Sequence, residues 1–203
     1  MNLKRRLTIA AIGVLAVAGV AVFAFWQWGG GTAYAPSPSA AELKDAAAVV
    51  NGHVILKSDV ERTFEGYQGI AAPAARALTR TQLLNNMIDD EVKYEEGVRL
   101  KMTPTAAEVD AAIANSRAGV EGPGGETPRA LIEKAAAQSG LTYDDYWTSP
   151  GLRESWVRTL TIGKYSTSIF KPSDAYPDAN NAVAAKVAEL RAKAKVKIFV
   201  NYG

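Results

Sequence analysis

The sequence predicts a mostly α-helical domain with a small β-sheet, preceded by one transmembrane helix. Three observations lead to this fold class. An uncharged run, Leu7–Trp28, follows a basic cluster near the N-terminus. Alanine-rich, charge-mixed stretches with recurrent helix-start motifs fill the middle of the chain. Short apolar runs typical of strands occur near residues 50 and 198.

Composition narrows the classes of function. The chain has 23 Lys and Arg residues against 21 Asp and Glu residues, and three of the basic residues are Lys4, Arg5 and Arg6. The remainder is close to neutral, so we expect no nucleic-acid partner. The absence of cysteine excludes disulfides, zinc-thiolate sites and cysteine nucleophiles. His53 is the only histidine, and a strand histidine without a nearby nucleophile motif is interpreted as a sheet-edge residue. We therefore expect no enzymatic activity, no cofactor and no metal.

Residues 7–28 are predicted to anchor the protein in the cell membrane, after a basic cytoplasmic tail of residues 1–6. A helix of this length rises about 33 Å, enough to cross a hydrocarbon core of about 30 Å. No basic residue follows until Lys44, so the positive-inside rule places the N-terminus in the cytoplasm and the domain outside. Leu7–Trp28 would then contact the lipid bilayer. The alternative is signal cleavage near Ala33–Ala35, which would give a secreted protein.

Residues 29–45 are interpreted as a linker and residues 46–203 as the folded domain. Ala47–Asn51 and His53–Lys57 are predicted strands on either side of Gly52. At the other end of the chain, Val196–Asn201 alternates as a strand should. Strands this short are not stable alone, so the terminal strand is expected to pair with the first two and close the domain.

Capping boxes and proline or glycine residues place the helices between these strands. Helix starts are expected at Ser58, Thr79, Thr103, Thr127, Thr142 and Leu152, with a last helix over Asp178–Ala194 and a loop over Tyr67–Leu78. The helix from Thr79 to about Leu100 is the clearest, because its apolar residues recur on one face. Its acidic run Asp89–Glu91 could bind a cation, but consecutive carboxylates point in different directions. We interpret this run as a solvated face.

Several segments together resemble the N-terminal domain of the SurA family of chaperones. They are Ala48–Gly52, Val54–Leu56, Ser58–Val60, Leu83–Lys101, Thr103–Ser116, Ser139–Tyr146 and Leu190–Val200. The order of these motifs is the specific signal, and it spans most of Ala48–Asn201. The resemblance implies a helical chaperone domain closed by N- and C-terminal strands.

One feature of these chaperones is missing here. They usually carry a parvulin prolyl-isomerase module with a histidine pair and a Gly-Gly-Asp-Leu-Gly turn, and this chain has one histidine and no such turn. The resemblance implies a holdase that binds unfolded or partly folded exported proteins, and the missing module implies that it has no isomerase activity. The predicted anchor would tether this holdase to the membrane, outside the cytoplasm. One alternative is a scaffold that docks a specific membrane or secretion-machinery partner. Another is a divergent peptidyl-prolyl isomerase.

The expected peptide-binding residues are aromatic. Pro150 and Gly151 interrupt the chain beside Tyr143, Tyr146 and Trp147, so these rings are expected at a bend between two helices. Such a bend can form a concave wall for extended peptides, and we expect it to face Phe64 and Tyr67. Core packing is the alternative for each ring.

Overall fold

A computed structural model of the chain describes residues 40–69, 77–170 and 175–202. The predicted cytoplasmic tail, the predicted anchor Leu7–Trp28 and most of the predicted linker lie outside these residues. Among the helices within them, none combines the length and the apolar character needed to span a bilayer.

The described residues form eight helices and three strands, which confirms a mostly helical fold with a small sheet. The strands are β1 (Ala46–Val50), β2 (His53–Leu56) and β3 (Val196–Ile198). The helices are α1 (Ala40–Asp45), α2 (Lys57–Gly69), α3 (Arg80–Arg99), α4 (Ala106–Glu121), α5 (Glu126–Gln138), α6 (Tyr143–Thr148), α7 (Pro150–Ile169) and α8 (Tyr176–Lys193). They divide into two compact units: Thr105–Trp156 form the first unit, and the other described residues form the second unit.

The sheet has the order β2-β1-β3, and both of its pairings are antiparallel. The β1–β2 hairpin turns at Asn51 and Gly52, whose φ angles of 49° and 100° are in the left-handed region that asparagine and glycine tolerate best. On its other side β1 pairs with β3, Ala48 opposite Ile198. The predicted closure of the domain by its C-terminal strand is therefore confirmed.

The core of the second unit is formed by β1 and β2 and by the apolar faces of α2, α3 and α8. Its buried residues are Ala47, Ala48, Val50, Ile55, Val60, Leu84, Met87, Ile88, Val92 and Val187. Val196 and Val200 pack against this cluster from the C-terminal segment. The apolar face predicted for the helix after Thr79 is thus the face that α3 buries.

A close approach of two helices in the second unit requires glycine at position 97. A methyl group on Gly97 of α3 would lie 2.7 Å from Cγ2 of Thr161 on α7. That distance is shorter than van der Waals contact, so a larger residue would force the helices apart. The glycine lets α7 pass close to α3 at this point.

Local capping chemistry explains where several helices begin. Thr79 caps α3 and Gln82 completes its capping box, as predicted. The same arrangement begins α4 at Thr105, with Glu108, so the predicted start at Thr103 is two residues early. Thr142 caps α6 through the backbone N–H of Asp145, as predicted.

Two predictions about the start of the domain are wrong. The predicted box at Ser58 does not cap α2, because the helix already begins at Lys57 and the Asp59 carboxylate accepts from the Leu56 N–H at 3.4 Å. Tyr67 lies in α2 and not in a loop; residues 70–76 of that predicted loop are outside the described residues. The end of the predicted linker forms α1, because Ala40–Asp45 contains mostly helix-favouring residues.

Candidate functional site

Three of the five predicted peptide-binding residues lie together on the short helix α6 of the first unit. The rings of Tyr143 and Trp147 meet edge to face, with centroids 6.0 Å apart, and those of Tyr146 and Trp147 do so at 5.3 Å. Edge-to-face contacts at these distances are favourable for aromatic pairs. The three rings therefore form one packed group, the α6 aromatic group.

The bend expected beside these rings is present. The Ser149 Oγ donates to the Tyr146 carbonyl at 2.8 Å and accepts from the Leu152 N–H at 3.3 Å. One side chain thus ends α6 and caps α7, which begins at Pro150. Proline is well suited to the first turn of a helix because it lacks the N–H that would have no partner there.

The burial of the α6 aromatic group shows how accessible each ring is. Tyr146 is 0% exposed and Trp147 is 3% exposed, so both belong to the core of the first unit, whereas Tyr143 is half-buried. Burial also raises the pKa of the Tyr146 hydroxyl. A client peptide would reach Tyr146 and Trp147 only if the first unit opened.

Arginines cover the outer side of Tyr143. The guanidinium of Arg129 lies 4.9 Å from the ring centroid and that of Arg117 lies 5.9 Å from it, distances at which a cation is attracted by the ring. Arg117 also donates to Asp144 at 2.6 Å and to Glu121 at 2.7 Å. These contacts tie α4 and α5 to α6 and give the aromatic group a charged rim.

Phe64 and Tyr67 belong to the second unit. The guanidinium of Arg80 lies 3.9 Å from the Phe64 ring centroid and is itself held by Glu61 at 2.8 Å. Burial, together with the nearby charge of Asp90, raises the pKa of Tyr67 to about 12. The structure thus brings Tyr143, Tyr146 and Trp147 together and places the other two residues in the other unit. A peptide-binding role for all five remains a prediction.

A buried charged cluster in the second unit was missed by reasoning from the sequence. Glu91 is 1% exposed, and its Oε2 lies 2.5 Å from Nη2 of Arg158, which is 7% exposed. The His53 Nε2 is 3.5 Å from the same Glu91 oxygen. The guanidinium of Arg158 also stacks on the Tyr94 ring at 4.0 Å. Interpreting Glu91 as part of a solvated face was therefore wrong.

Glu91 and Arg158 form an ion pair in this cluster, and the environment of His53 favours its neutral form. Burial, and secondly the positive charge of Arg158, lower the pKa of His53 to about 4. Burial raises the pKa of Glu91, and Arg158 opposes that shift through its charge and its hydrogen bond. We infer that near neutral pH His53 is uncharged, so its contact with Glu91 is not a salt bridge.

His53 lies on β2, which is an edge strand of the sheet order β2-β1-β3. The predicted sheet-edge position of this histidine is therefore confirmed.

Asn51 links the hairpin turn to two other elements. Its side-chain amide donates to the Glu95 carboxylate of α3. Its Oδ1 accepts from the Lys195 N–H at 2.7 Å, and its own N–H donates to the Lys195 carbonyl at 3.0 Å. The turn residue therefore helps to set the position of β3 against β1. An Asn before a Gly signals a turn in the sequence, but its partners at positions 95 and 195 are not visible there.

The acidic run of α3 is engaged in separate interactions and does not form a cation site. Asp89 pairs with Arg191 at 2.9 Å, Asp90 pairs with Lys93 at 2.6 Å, and Glu91 pairs with Arg158. Within residues 40–69, 77–170 and 175–202, no group of three acidic or histidine side chains is arranged to hold a metal ion.

Large apolar side chains are exposed beside β3 of the second unit. Ile198 is 48% exposed and Phe199 is 39% exposed, although Val196 and Val200 of the same segment pack against the core. The Nζ of Lys197 lies 4.8 Å from the Phe199 ring centroid. Val98 and Leu100, at the end of α3, are also exposed. These residues offer apolar contact without any opening of the fold.

Comparison with known families decides which kind of domain this is. The profile of the SurA-like N-terminal domain matches residues 2–150. The chain belongs to this family. No curated protein matches the chain. Membership in the SurA-like N-terminal family identifies the protein as a chaperone-like or interaction module. The family match ends at Pro150, and the structure shows that β3, which lies beyond it, completes the sheet of this SurA-like domain.

Proposed function

We propose that this SurA-like protein is a membrane-tethered extracytoplasmic holdase that binds unfolded exported polypeptides. The observation that carries the proposal is the family match over residues 2–150. Holding an unfolded chain requires accessible apolar surface and no covalent chemistry. The exposed side chains of Ile198 and Phe199 supply such surface.

The proposed tether is Leu7–Trp28. Its support is the uncharged 22-residue run after Lys4, Arg5 and Arg6, with no further basic residue before Lys44. A tethered binder works at a high effective concentration near the membrane, where exported chains emerge. The proposal therefore places the SurA-like domain outside the cytoplasm, with release of a cleaved, secreted form as its alternative.

The decisive experiment is protection of clients from aggregation. The full-length protein, in detergent micelles, should suppress light scattering by two unrelated unfolded proteins at near-stoichiometric ratio and without ATP. Empty micelles and a folded membrane protein of similar size serve as controls. Scattering equal to these controls for both clients would reject the holdase proposal.

Absence of isomerase activity is part of the proposal, because His53 is the only histidine of the chain. Proline-limited refolding should proceed at the uncatalysed rate, over tens to hundreds of seconds. Acceleration that persists in His53→Ala would reveal isomerase chemistry independent of the histidine, and would favour a divergent isomerase.

A scaffold for one membrane or secretion-machinery partner is the second candidate. The observation that favours it is the enclosure of Tyr146 and Trp147, which removes two large rings from the accessible surface. Crosslinking in intact cells separates the two candidates. Many crosslinked chains of different size support the holdase, whereas a single stoichiometric product supports the scaffold.

A further inference from the structure

The strand β3 is an edge strand of the sheet that the described residues form. The Asn51 N–H donates to the Lys195 carbonyl at 3.0 Å, and the Phe199 N–H donates to the Ala47 carbonyl at 2.9 Å. Alternate residues of an antiparallel strand turn their backbone groups toward one neighbour, so Lys197 also faces β1. The backbone groups of Val196 and Ile198 therefore point the other way. No strand of the described chain lies on that side.

The side chains along this edge have a defined pattern. Ile198 lies opposite Ala48 and shares the core-facing side of the sheet with Val196 and Val200. Residues 197 and 199 therefore lie on the other side of the sheet, where the Lys197 ammonium contacts the Phe199 ring. A strand added to this edge would meet apolar side chains on one side and an aromatic ring with a positive charge on the other.

The size and charge of the edge indicate its occupant. Two residues with outward backbone groups provide few hydrogen bonds, and a stable interface with a second copy usually buries about 1,200 Å² or more. A short extended peptide needs no such area. Lys195 and Lys197 are exposed at the edge, and a positive charge favours a negative one directly opposite on the next strand.

We infer that an extended apolar segment of an unfolded client, with an acidic residue at one position, adds to β3 as a fourth strand. This inference rests on the proposed holdase function and names its client site. In an antiparallel arrangement, the client residue opposite Ile198 is aliphatic and the residue opposite Lys197 is acidic. The residue opposite Phe199 is aromatic or β-branched. Main-chain hydrogen bonds supply affinity and the side chains supply preference, as in other additions of a peptide strand to a sheet edge.

The test is the affinity of labelled peptides for the full-length protein in detergent micelles, measured by fluorescence anisotropy. One peptide carries Glu at the position opposite Lys197, and a second carries Lys there. Wild-type protein should prefer the Glu peptide. Ile198→Pro removes the outward N–H and should weaken binding about tenfold, the factor equivalent to about 1.4 kcal/mol and to one or two backbone hydrogen bonds. The matched control Ile198→Val keeps the N–H and should bind as the wild type does.

Each outcome either supports the edge site or overturns it. Unchanged affinity in a folded Ile198→Pro variant overturns the inference. If that variant does not fold, as judged by circular dichroism, Lys197→Glu decides: a reversed preference between the two peptides supports the site, and an unreversed preference overturns it. A dimer that Ile198→Pro dissociates, without affinity for either peptide, assigns the edge to a second copy and also overturns it.

The Ile198→Pro variant also separates a failure of this inference from a failure of the proposed holdase function. Client protection that is equal in wild-type protein and Ile198→Pro overturns the edge site and leaves the holdase function standing. Peptide binding at the edge without any client protection overturns the holdase function alone.

Discussion

Glu91 and Arg158 form a buried ion pair although 67 residues separate them in the chain. Their side-chain oxygen and nitrogen lie 2.5 Å apart, and their side chains are 1% and 9% exposed. The pair joins α3 to α7 inside the second unit and has His53 of β2 beside it.

Breaking this pair on one side should strongly destabilise the protein. Arg158→Met leaves the Glu91 carboxylate buried without its cation, and removal of one partner of a buried pair costs about 3–5 kcal/mol. Replacing both residues, with Glu91→Leu and Arg158→Met, should recover most of that loss. Urea unfolding followed by circular dichroism gives both values. A double variant as unstable as Arg158→Met would show that the loss does not come from the unpaired charge.

The neutral state of His53 predicts a pH dependence of stability. Its pKa is about 4 in the folded protein against an ordinary value of 6.5, so the unfolded chain binds more protons between these values. The free energy of unfolding should therefore rise from pH 4 to pH 6.5, by about 3 kcal/mol from this residue. The pKa of Glu91 is raised from its ordinary value of 4.5, so above that pH the folded protein holds this proton more tightly than the unfolded chain does. The contribution of Glu91 to the free energy of unfolding therefore falls as the pH rises.

Comparison of wild-type protein with His53→Gln isolates the contribution of the histidine to the pH dependence of stability, because Glu91 is present in both proteins. The stability of wild-type protein relative to the variant should increase across pH 4 to 6.5 and stay constant above it. Urea midpoints at a series of pH values measure this difference. A constant difference throughout would contradict a buried neutral imidazole.

The register of β3 predicts opposite outcomes for proline at adjacent positions. Lys197→Pro removes an N–H that faces β1 and leaves its acceptor without a partner, so it should cost about 2 kcal/mol or more. Ile198→Pro removes an N–H that faces away from β1, and edge strands tolerate proline at such positions. Thermal melting of both variants is the measurement. Greater destabilisation by Ile198→Pro would show that the register is shifted by one residue.

Burial of the α6 aromatic group predicts a stability role for two of its rings. Trp147→Ala and Tyr146→Ala should each lower the free energy of unfolding by about 3–5 kcal/mol, as is usual for buried aromatic side chains. Asp144→Ala, on the same helix, removes only an exposed ion pair with Arg117 and should cost about 1 kcal/mol or less. Weaker protection of clients with unchanged stability in Tyr146→Ala would instead assign this ring to the client surface.

The charge pattern around Leu7–Trp28 predicts the orientation of the protein in the membrane. A protease added outside intact spheroplasts should digest residues 46–203. A cytoplasmic protein in the same cells is the control and should stay intact. Protection of residues 46–203 would contradict the orientation, and a soluble form beginning near Pro36 would indicate cleavage.

The sequence by itself determined the order and type of most elements, but not α1, which lies in the predicted linker. Thr79 with Gln82, and Thr142 with Asp145, begin helices through hydrogen bonds to residues three positions away, and such local chemistry is readable in the sequence. Apolar periodicity identified the buried face of α3 in the same way. Short apolar runs predicted the strands near residue 50, and alternation predicted the one near residue 198; their pairing was predicted because each is too short to be stable alone.

Only the tertiary structure decided which side chains are buried and with which partners. Glu91 stands in an acidic run whose neighbours Asp89 and Asp90 are partly exposed, and its burial depends on Arg158, far along the chain. The enclosure of Tyr146 and the exposure of Ile198 likewise depend on whether other elements cover them. Helix capping and the backbone hydrogen bonds within helices join residues a few positions apart, whereas the burial of Glu91 and its pairing with Arg158 depend on distant segments brought together by folding. The latter therefore leave no local signal in the sequence.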